Sequence, residues 1–365
     1  MTLRTFLAAI VLLFTFPAAA EPVTSAEWLT LVRGAKAGDV IDLGNREVQF
    51  ARLPLQPTGL VTIRGGVFCA ITLDRWRNVR MEGTTIRPCA GNDPRGSMVI
   101  AYDLQNVSFD RLTMTGGKDA LGNLTHPGFS FRGGRDISVT NSRFIDMAGF
   151  NAFIRSVNVR WERNDHINIR EGLQLVGVQG AIVRHNRFGP YLPAPGDHAD
   201  GVQLFTAGLL LADDLAARDV LIEGNLIMSA PGRRAQGIFT RDEAGFHKSG
   251  RGYARITVRG NLLVGTGWHG ITAGDPIDGL VIEGNRLITL TGAGDAVRSN
   301  WIMLGGWMTP TPPRVVNNIA GSFAPTALGV SQCNAFYAPL PMGDGDTMPD
   351  AAQAAIDEWL RVNRW

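Results

Sequence analysis

A short apolar motif that recurs along most of the chain constrains its fold more than any other feature. In each copy apolar residues alternate with polar ones, as in a strand with one buried side, and the copy ends at a Gly-Asn pair or a related turn. Gly and Asn adopt positive φ angles at the least cost, which suits a sharp corner between two strands. The clear copies start at Val79, Val107, Ile137, Val159, Val220, Ile256 and Leu280, and weaker ones at Ala181 and Pro313.

A second recurring strand precedes this motif and starts at a glycine, as at Gly128, Gly172, Gly201, Gly237 and Gly270. Motif spacings of about 22 to 39 residues match one coil of a parallel β-helix, and the longer spacings indicate inserted loops. We therefore predict an all-β fold, a single-stranded right-handed parallel β-helix, or solenoid. Asn amides stacked in register are expected to hydrogen-bond from coil to coil.

The sequence predicts three regions. Residues 1–20 are predicted to be a signal peptide, because one positive charge precedes a short apolar run that ends at Ala18-Ala19-Ala20. Residues 21–335 form the predicted β-helix domain, and residues 336–365 form a C-terminal tail with a capping helix. No other apolar run is long enough to span a bilayer. We expect an exported protein, periplasmic or extracellular, with no membrane span after signal removal.

Two helices are predicted to cover the ends of the solenoid, where open strand edges would otherwise invite association. The first spans residues 25–37, with Ser25 as N-cap and an apolar side of Trp28, Leu29, Leu31 and Val32. The second spans residues 350–362, and its inward-facing residues are predicted to be Ala354, Ile356, Trp359 and Leu360.

The charged residues indicate which classes of partner the protein can bind, and the cysteines indicate where a disulfide could form. The net charge of +2 is too small to indicate nucleic acid or a membrane surface as a partner. Arginine supplies nearly all the positive charge, which favours planar recognition of carboxylate or sulfate groups. Cys69 and Cys89 are close enough in sequence to bridge neighbouring coils in an oxidising compartment, or to stay free, and Cys333 has no partner by spacing.

Four predicted loops lie in the longest coils, at residues 190–199, 206–217, 229–235 and 241–253, and should wall a groove suited to a polymer. Between them, His198, Asp200 and Gln203 are expected to point outward from one strand. The residue before the same glycine in the next two coils is Gln236 and then His269. In-register coils would stack Asp200, Gln236 and His269 at strand spacing.

Simpler roles compete with a functional role for several of these residues. Asp197 or Asp200 would serve equally as a cap of the glycine turn, and His269 as a loop histidine beside Trp268. His166 falls at the inward position that Phe144 and Phe188 occupy in neighbouring coils. We therefore expect His166 to be a core residue.

The cap helix, the following Ala-Gly-Asp-Val-Ile-Asp-Leu segment and the coils resemble the right-handed β-helix repeat superfamily over residues 22–330. That superfamily includes pectate lyases, chondroitinase B-like and alginate lyases, mannuronan C5-epimerases and polygalacturonases. The resemblance implies the fold and an acidic polysaccharide as partner. It does not imply one reaction, since function depends on the site.

Elimination or C5 epimerisation of a uronate needs a base for the proton α to the carboxylate and a cation facing that carboxylate. We predict His198 as base, oriented by Asp200, Arg234 or Arg241 as cation, and Lys248 or Tyr191 as acid. The segment is similar to the Asp-Pro-His stretch of mannuronan epimerases but continues as His-Ala-Asp-Gly. The predicted catalytic residues are His198, Asp200, Arg241 and His269, and the predicted substrate-binding residues are Gln203, Arg234, Gln236, Asp242 and Lys248.

Two other functions stay open. His-Ala-Asp-Gly and Trp268-His269-Gly270 are similar to polygalacturonase motifs, although the Asp-Asp pair expected one coil later is replaced by Gln236-Gly237. The groove would also serve a non-catalytic polysaccharide-binding or adhesin scaffold. No metal site or cofactor is predicted; the acidic pairs Asp213-Asp214 and Asp242-Glu243 are the only calcium candidates, and neither has the spacing of a calcium loop.

Overall fold

The computed structural model describes residues 21–194, 197–229, 235–266, 269–291, 300–306, 309–324, 331–342 and 347–363. The predicted signal peptide at residues 1–20 lies outside these residues. The described chain winds as a solenoid in which successive coils pair in parallel and a coil contributes strands to three faces. The predicted right-handed parallel β-helix is confirmed. No helix in the described part is long and apolar enough to cross a membrane.

Face 1 is a sheet of ten strands among the described residues. Its strands begin at the recurring glycine segment or close to it, and their inward residues are mostly Phe, Leu, Ile and Val. They are β3 (Ile71–Asp74), β6 (Val99–Tyr102), β11 (Phe129–Arg132), β14 (Asn151–Ile154), β17 (Leu173–Val176), β20 (Asp200–Phe205), β23 (Gln236–Arg241), β26 (His269–Ala273), β30 (Trp301–Leu304) and β33 (Ser322–Phe323).

Face 2 contains the repeated apolar motif. After β1 (Val40–Val48) and β2 (Val61–Phe68), which run across the corner into face 3, its strands are β4 (Arg77–Glu82), β7 (Gln105–Asp110), β12 (Arg135–Thr140), β15 (Val157–Glu162), β18 (Gln179–Arg184), β21 (Arg218–Glu223), β24 (Ala254–Arg259), β27 (Val281–Glu283), β31 (Arg314–Val316) and β34 (Ser331–Gln332).

Face 3 follows the Gly-Asn corner and contains the apolar residue that recurs after it. Its strands are β5 (Thr85–Ile86), β8 (Thr113–Thr115), β13 (Arg143–Met147), β16 (Asp165–Ile169), β19 (Arg187–Tyr191), β22 (Leu226–Ser229), β25 (Leu262–Val264), β28 (Arg286–Ile288), β32 (Ile319–Ala320) and β35 (Ala335–Phe336). Two short pairs complete the strands: β9 (Gly117–Lys118) with β10 (Leu124–Thr125), and β29 (Leu290–Thr291) with β36 (Leu340–Pro341).

The corner between faces 2 and 3 holds a buried ladder of asparagines, as the sequence predicts. The amide nitrogen of Asn225 donates to Oδ1 of Asn261 at 2.9 Å, and Asn186 donates in the same way to Asn225. Each amide also reaches back to a backbone carbonyl of the preceding coil, as Asn225 does to Val183. The ladder continues through Asn285, Asn318 and Asn334.

The N-terminal helix α1 (Ser25–Gly34) covers the first coil and buries Trp28 and Val32. Two details of the prediction are wrong. The N-cap is Thr24, whose hydroxyl accepts from the Glu27 N–H at 3.2 Å, and not Ser25. The helix also ends at Gly34 and not at Ala37, since Ala35 is extended and a turn at Ala37 and Gly38 leads into β1.

The C-terminal helix α2 (Asp350–Val362) has the predicted bounds but does not cover an end of the solenoid. It packs on the outer side of face 3, against Leu226, Leu262, Val264 and Ile288. Because of this position Ala352 and Ala355 are buried together with Ile356 and Trp359, while Ala354 is exposed, contrary to prediction. The Trp359 Nε1–H donates to the Gly224 carbonyl at 2.9 Å and ties the helix to a corner.

Cys69 and Cys89, which the sequence leaves open between bridged and free, form a disulfide. It links the segments that follow β2 and β5, with a Cα–Cα distance of 5.4 Å. By chain-entropy arguments a loop of this length contributes about 3 kcal/mol to stability. The bond ties together the first coils beneath α1. Cys333 is free and exposed.

The predicted core position of His166 is confirmed. Its ring is fully buried and stacks between Phe144 and Phe188, at centroid distances of 4.7 and 4.5 Å. Nε2 accepts from the Trp161 indole N–H at 3.2 Å, and Nδ1 has no hydrogen-bond partner among the described residues. Burial lowers the pKa of His166 to about 3. The imidazole is therefore neutral in the folded protein above that pH.

Asn225→Ala should destabilise the protein by at least about 3 kcal/mol, because it leaves several buried donors and acceptors unpaired. Equilibrium urea unfolding measures the change. Asn158→Gly is the matched control, since Asn158 is an exposed residue of β15 with a positive φ whose amide donates to Asp136 Oδ1 at 3.0 Å. Similar destabilisation of both variants would contradict the structural importance of the ladder.

His166→Phe should flatten the pH dependence of stability. The folded pKa of His166 lies below its unfolded value of about 6.5, so its contribution is complete above pH 6.5 and is lost as pH falls toward 3. From pH 7.5 to pH 4.5, the unfolding free energy of the wild type should therefore fall by about 3 kcal/mol more than that of the variant. Urea unfolding at both pH values tests this, and parallel losses in the two proteins would contradict it.

Candidate functional site

Four polar residues form a column across face 1: Glu171, Asp200, Gln236 and His269, one in each of four successive coils. Asp200 pairs with Gln236 in the register of β20 and β23, and the Gly172 N–H donates to the Asp200 carbonyl at 3.0 Å. The register of β23 and β26 brings His269 beside Gln236. The stack predicted from Asp200 to His269 is thus present. Glu171 was missed, although it precedes Gly172 as Asp200 precedes Gly201.

The glycine after each column residue is required by close approach of the coils. A Cβ at Gly172 would lie 2.0 Å from the Gly201 carbonyl oxygen, and one at Gly237 would lie 2.1 Å from the Gly270 oxygen. Because no side chain fits there, the backbones stack closely. The polar column therefore stays in register from coil to coil.

Asp200 does not point outward as predicted. It shares strand parity with the inward residues Val202 and Leu204, and its side chain is only 4% exposed. Oδ1 is buried and has no hydrogen-bond partner among the described residues. Burial raises the pKa of the Asp200 carboxyl, while its contact with His198 opposes that rise.

His198 is the exposed member of the site. Its side chain is 63% exposed, yet Nδ1 lies 3.7 Å from Oδ2 of Asp200 and Nε2 lies 2.6 Å from the side-chain amide nitrogen of Gln236. The interaction with Asp200 raises the pKa of His198, more than partial burial lowers it. A buried carboxylate thus lies close to a surface imidazole. A carboxylate beside an imidazole is an arrangement suited to proton transfer.

The segment before His198 is held by Asp197, the turn residue considered as a cap. Its carboxylate accepts from Arg170 Nε and Nη2 at 2.5 and 2.6 Å and from the Ala194 N–H at 2.7 Å. The hydrogen bonds from Arg170 lower the pKa of Asp197. Asp197 and Arg170 therefore fix the position of the loop that carries His198.

His269 differs electrostatically from His198. Its Nδ1 accepts from the Trp301 indole N–H at 3.1 Å and lies 3.0 Å from the Thr272 hydroxyl, so the neutral ring carries its proton on Nε2. Burial lowers the pKa of His269 to about 4. Phe239 lies between the two histidines, at centroid distances of 5.8 and 5.5 Å. Near neutral pH, His269 is a hydrogen-bond donor and not a base.

Gln203 points outward from β20, three residues after Asp200, and its Oε1 accepts from the Gln174 side-chain amide at 3.3 Å. Gln174 also contacts Oε2 of Glu171 at 3.3 Å. Burial raises the pKa of the Glu171 carboxyl, and the nearby Asp200 adds to that rise. Hydrogen bonds through Gln174 thus connect Glu171 of the column with Gln203 in the middle of β20.

Three predicted residues lie elsewhere. Arg241 is exposed and five residues beyond Gln236, roughly 16 Å along the strand. Asp242 is buried and accepts from Thr206 Oγ1 at 2.9 Å and from the His247 N–H at 2.7 Å, so it anchors its own loop. Lys248 lies in the 3-10 helix Phe246–Ser249 of that loop. Arg234 and Trp268 lie outside the described residues.

Tyr191, predicted as an alternative acid, is fully buried. Burial raises the pKa of its hydroxyl well above the ordinary value, and nearby Asp200 and Glu171 add to the effect. The hydroxyl lies beneath the column, where a Cβ at Gly172 would be 2.6 Å away. A buried phenol of this kind is poorly placed to donate a proton to a surface ligand.

The calcium candidates are engaged in other contacts. Asp214 binds Arg155 through both carboxylate oxygens, at 2.6 and 2.9 Å, and Asp242 bonds as described above. Among the described residues no group of three His, Cys, Asp or Glu side chains could hold a metal ion.

In chain order the four predicted loops lie on both sides of the face 1 strands β20 and β23. Loops 190–199 and 229–235 precede β20 and β23, whereas loops 206–217 and 241–253 follow them. A surface depression of about 810 Å³ lies instead on face 2, where Arg255 and Arg259 are neutralised by Asp219 and Glu223. Arg160 in its lining is likewise paired with the buried Glu162. Because these arginines are already paired with carboxylates, face 1 is the better candidate site.

Asp200→Asn should lower the pKa of His198, because it removes the carboxylate that stabilises the imidazolium. Proton NMR titration of the His198 ring measures the shift. Asp219→Asn, a change of the same kind on face 2, should leave the His198 pKa unchanged. An unaltered titration in Asp200→Asn would show that the buried carboxylate does not control this imidazole.

The sequence matches no protein-family model and no curated protein. The fold is similar to two structures of PfbA, a surface adhesin of Streptococcus pneumoniae, both 14% identical to this chain. The first match has a TM-score of 0.50 and covers 84% of this chain and 89% of the adhesin chain. The second has a TM-score of 0.51 and covers 86% of this chain and 77% of the adhesin chain. An alginate lyase bound to a trisaccharide is 13% identical, with a TM-score of 0.48 over 76% of this chain and 60% of the lyase. These likenesses concern the fold alone. The chain is a right-handed parallel β-helix protein.

Proposed function

We propose that this protein is an exported carbohydrate-active enzyme that acts on an acidic, uronate-containing polysaccharide by β-elimination or C5 epimerisation. One observation carries the proposal: an exposed imidazole, that of His198, lies 3.7 Å from the buried carboxylate of Asp200 on face 1. The disulfide between Cys69 and Cys89 supports a periplasmic or extracellular location, because such bonds persist in oxidising compartments.

In the proposed reaction the His198 Nε2 removes the proton α to the uronate carboxylate, while Asp200 stabilises the resulting imidazolium. The electron pair left on carbon moves into the carboxylate as an enediolate. In elimination that pair then forms a C4–C5 double bond as the C4–O bond breaks, and the leaving oxygen takes a proton from the imidazolium. In epimerisation a water molecule gives a proton to the opposite side of the same carbon, and the hydroxide left behind takes the proton from the His198 imidazolium.

The neighbouring residues have binding roles in this proposal. The Gln236 amide, now 2.6 Å from His198 Nε2, would turn toward the sugar when the substrate proton takes its place. His269 and Gln203 are the proposed contacts to sugar hydroxyls. Arg234, two residues before Gln236 in the chain, is the proposed cation for the carboxylate.

Glycoside hydrolysis is a second candidate, supported by the column itself. Glu171 and Asp200 are carboxyl groups on neighbouring coils, where strand spacing is about 4.8 Å. Retaining glycosidases have their two carboxyl groups about 5 Å apart, so two carboxylic acids on adjacent strands are a starting point for that chemistry. The pKa of Glu171, raised by burial, suits a proton donor.

Binding without turnover is the third candidate. Both ring nitrogens of His198 already have contacts, with Asp200 and with Gln236, so neither is free in the unliganded site. Such an imidazole would serve as a sugar contact on an adhesin-like scaffold.

A panel of uronate polymers distinguishes the three candidates. Ultraviolet absorbance of an unsaturated product indicates elimination, a changed C5 configuration by NMR indicates epimerisation, and new reducing ends without absorbance indicate hydrolysis. His198→Ala should lower turnover by at least about 100-fold and retain binding, since it removes the base alone. His185→Ala removes an imidazole at a corner away from face 1 and should leave turnover unchanged. Undiminished turnover in His198→Ala would refute the proposed base.

The pH–rate profile adds a second readout. Because a base must be deprotonated and the pKa of His198 is raised, kcat/KM should rise with pH through a value above the ordinary 6.5. Asp200→Asn should move this acidic limb to lower pH. A profile that is flat between pH 5 and pH 8 would exclude His198 as the titrating base.

A further inference from the structure

A second depression, of about 580 Å³, lies on face 1 toward the carboxyl ends of its strands. Its axis follows one outward row, in which the registers align Tyr102, Arg132, Ile154, Val176 and Phe205 on five successive strands. At strand spacing this row is roughly 19 Å long. The depression is thus elongated along the solenoid axis, a shape that suits a linear chain better than a compact molecule.

The row has an apolar floor and an aromatic ring at each end. Ile154 and Val176 line this floor, Ile154 partly exposed and Val176 almost fully buried, while Tyr102 and Phe205 are both partly exposed. Apolar surface and aromatic rings with a few polar groups are the usual composition of ligand sites. Sugar rings have apolar faces of carbon-bound hydrogens that fit such a surface.

Arg132 supplies a cation that no described carboxylate neutralises. Its Nε donates to the Ser130 hydroxyl at 3.3 Å, and its guanidinium lies 5.9 Å from the centre of the Tyr102 ring. The other arginines nearby are engaged: Arg155 binds both oxygens of Asp214, and Arg52 lies 3.4 Å from Asp74. Most of the Arg132 N–H donors are therefore available to a planar anion such as a carboxylate.

The rim carries one acid, Asp103, which is exposed and forms no ion pair with a described residue. It faces Gly133, where a Cβ would come within 2.6 Å of Oδ1. An acceptor on the rim opposite a donor on the floor suits a ligand with both hydroxyl groups and an acid group. Sugar acids combine the two, whereas a simple anion would meet Asp103 as a repulsive charge.

Gln174 connects this depression to the column. It lines the depression, and its amide contacts Oε2 of Glu171 and Oε1 of Gln203, both at 3.3 Å. A polymer seated in the depression can therefore continue over the two glutamines toward His198 without leaving face 1.

We propose that this depression, the Arg132 subsite, binds uronate units of a linear acidic polysaccharide. Arg132 meets a carboxylate, Asp103 accepts from sugar hydroxyls, and Tyr102 and Phe205 cover sugar faces. The inference rests on the proposed function, because the subsite would hold the units next to the one that reaches His198.

Isothermal titration with a hexameric oligouronate tests the subsite, using His198→Ala as the background so that no turnover occurs. Adding Arg132→Gln should weaken binding at least about 10-fold, the scale of a lost hydrogen bond to a charged group. Arg135→Gln is the matched control: it removes an exposed arginine from the same coil, on face 2, and should change affinity less than about twofold. A hexamer whose carboxylates are reduced to alcohols should bind more weakly and be insensitive to Arg132→Gln.

Equal affinity of the Arg132→Gln and Arg135→Gln proteins, an undiminished affinity for the reduced hexamer, or no binding of the oligouronate by the background protein would each overturn the inference. The outcome is separable from the proposed reaction. Arg132-dependent binding with no turnover in the wild-type protein keeps the subsite and refutes the enzyme. Turnover that depends on His198 but not on Arg132 keeps the enzyme and refutes the subsite.

Discussion

The hydrogen bonds between stacked asparagine amides at one corner are the interaction on which this molecule depends. A solenoid has few contacts between coils that are distant in sequence, so each coil must be aligned by its immediate neighbours. An amide offers a donor and an acceptor in one plane, and from Asn186 to Asn318 each amide donates to the next and to a backbone carbonyl behind it. The backbone N–H of each asparagine also bonds to the next side chain, as in Asn225 and Asn261. The polar groups of this buried corner are thereby paired with one another.

Register at that corner determines what face 1 displays. Once the coils are aligned, the recurring glycine brings the backbones into close contact, and the residue before it must stack on its counterparts in neighbouring coils. Glu171, Asp200, Gln236 and His269 are far apart in sequence and adjacent in space for this reason. The same alignment produces the parallel row from Tyr102 to Phe205. Both surfaces follow from the repeat and not from long-range loop contacts.

Three histidines of this protein have different pKa values because their environments differ. His198 is exposed beside a buried carboxylate, which raises its pKa. His269 is half-buried among aromatic rings, and burial lowers its pKa to about 4. His166 is enclosed in the core, and its pKa falls to about 3. Groups whose pKa values are moved apart in this way can take different parts in one site, or, as with His166, only pack.

The sequence by itself determined the coil, the asparagine ladder, the core position of His166 and the order of Asp200, Gln236 and His269. These follow from local periodicity and from turn chemistry, which a linear sequence displays directly. The sequence also displays the parity of Asp200 with Val202 and the place of Glu171 before Gly172, yet the prediction put Asp200 outward and missed Glu171. The sequence could not separate Arg241 from His198 or find Arg132 as a site residue. Those relations depend on distances across coils and on which charges are already paired, and only the tertiary structure decides both.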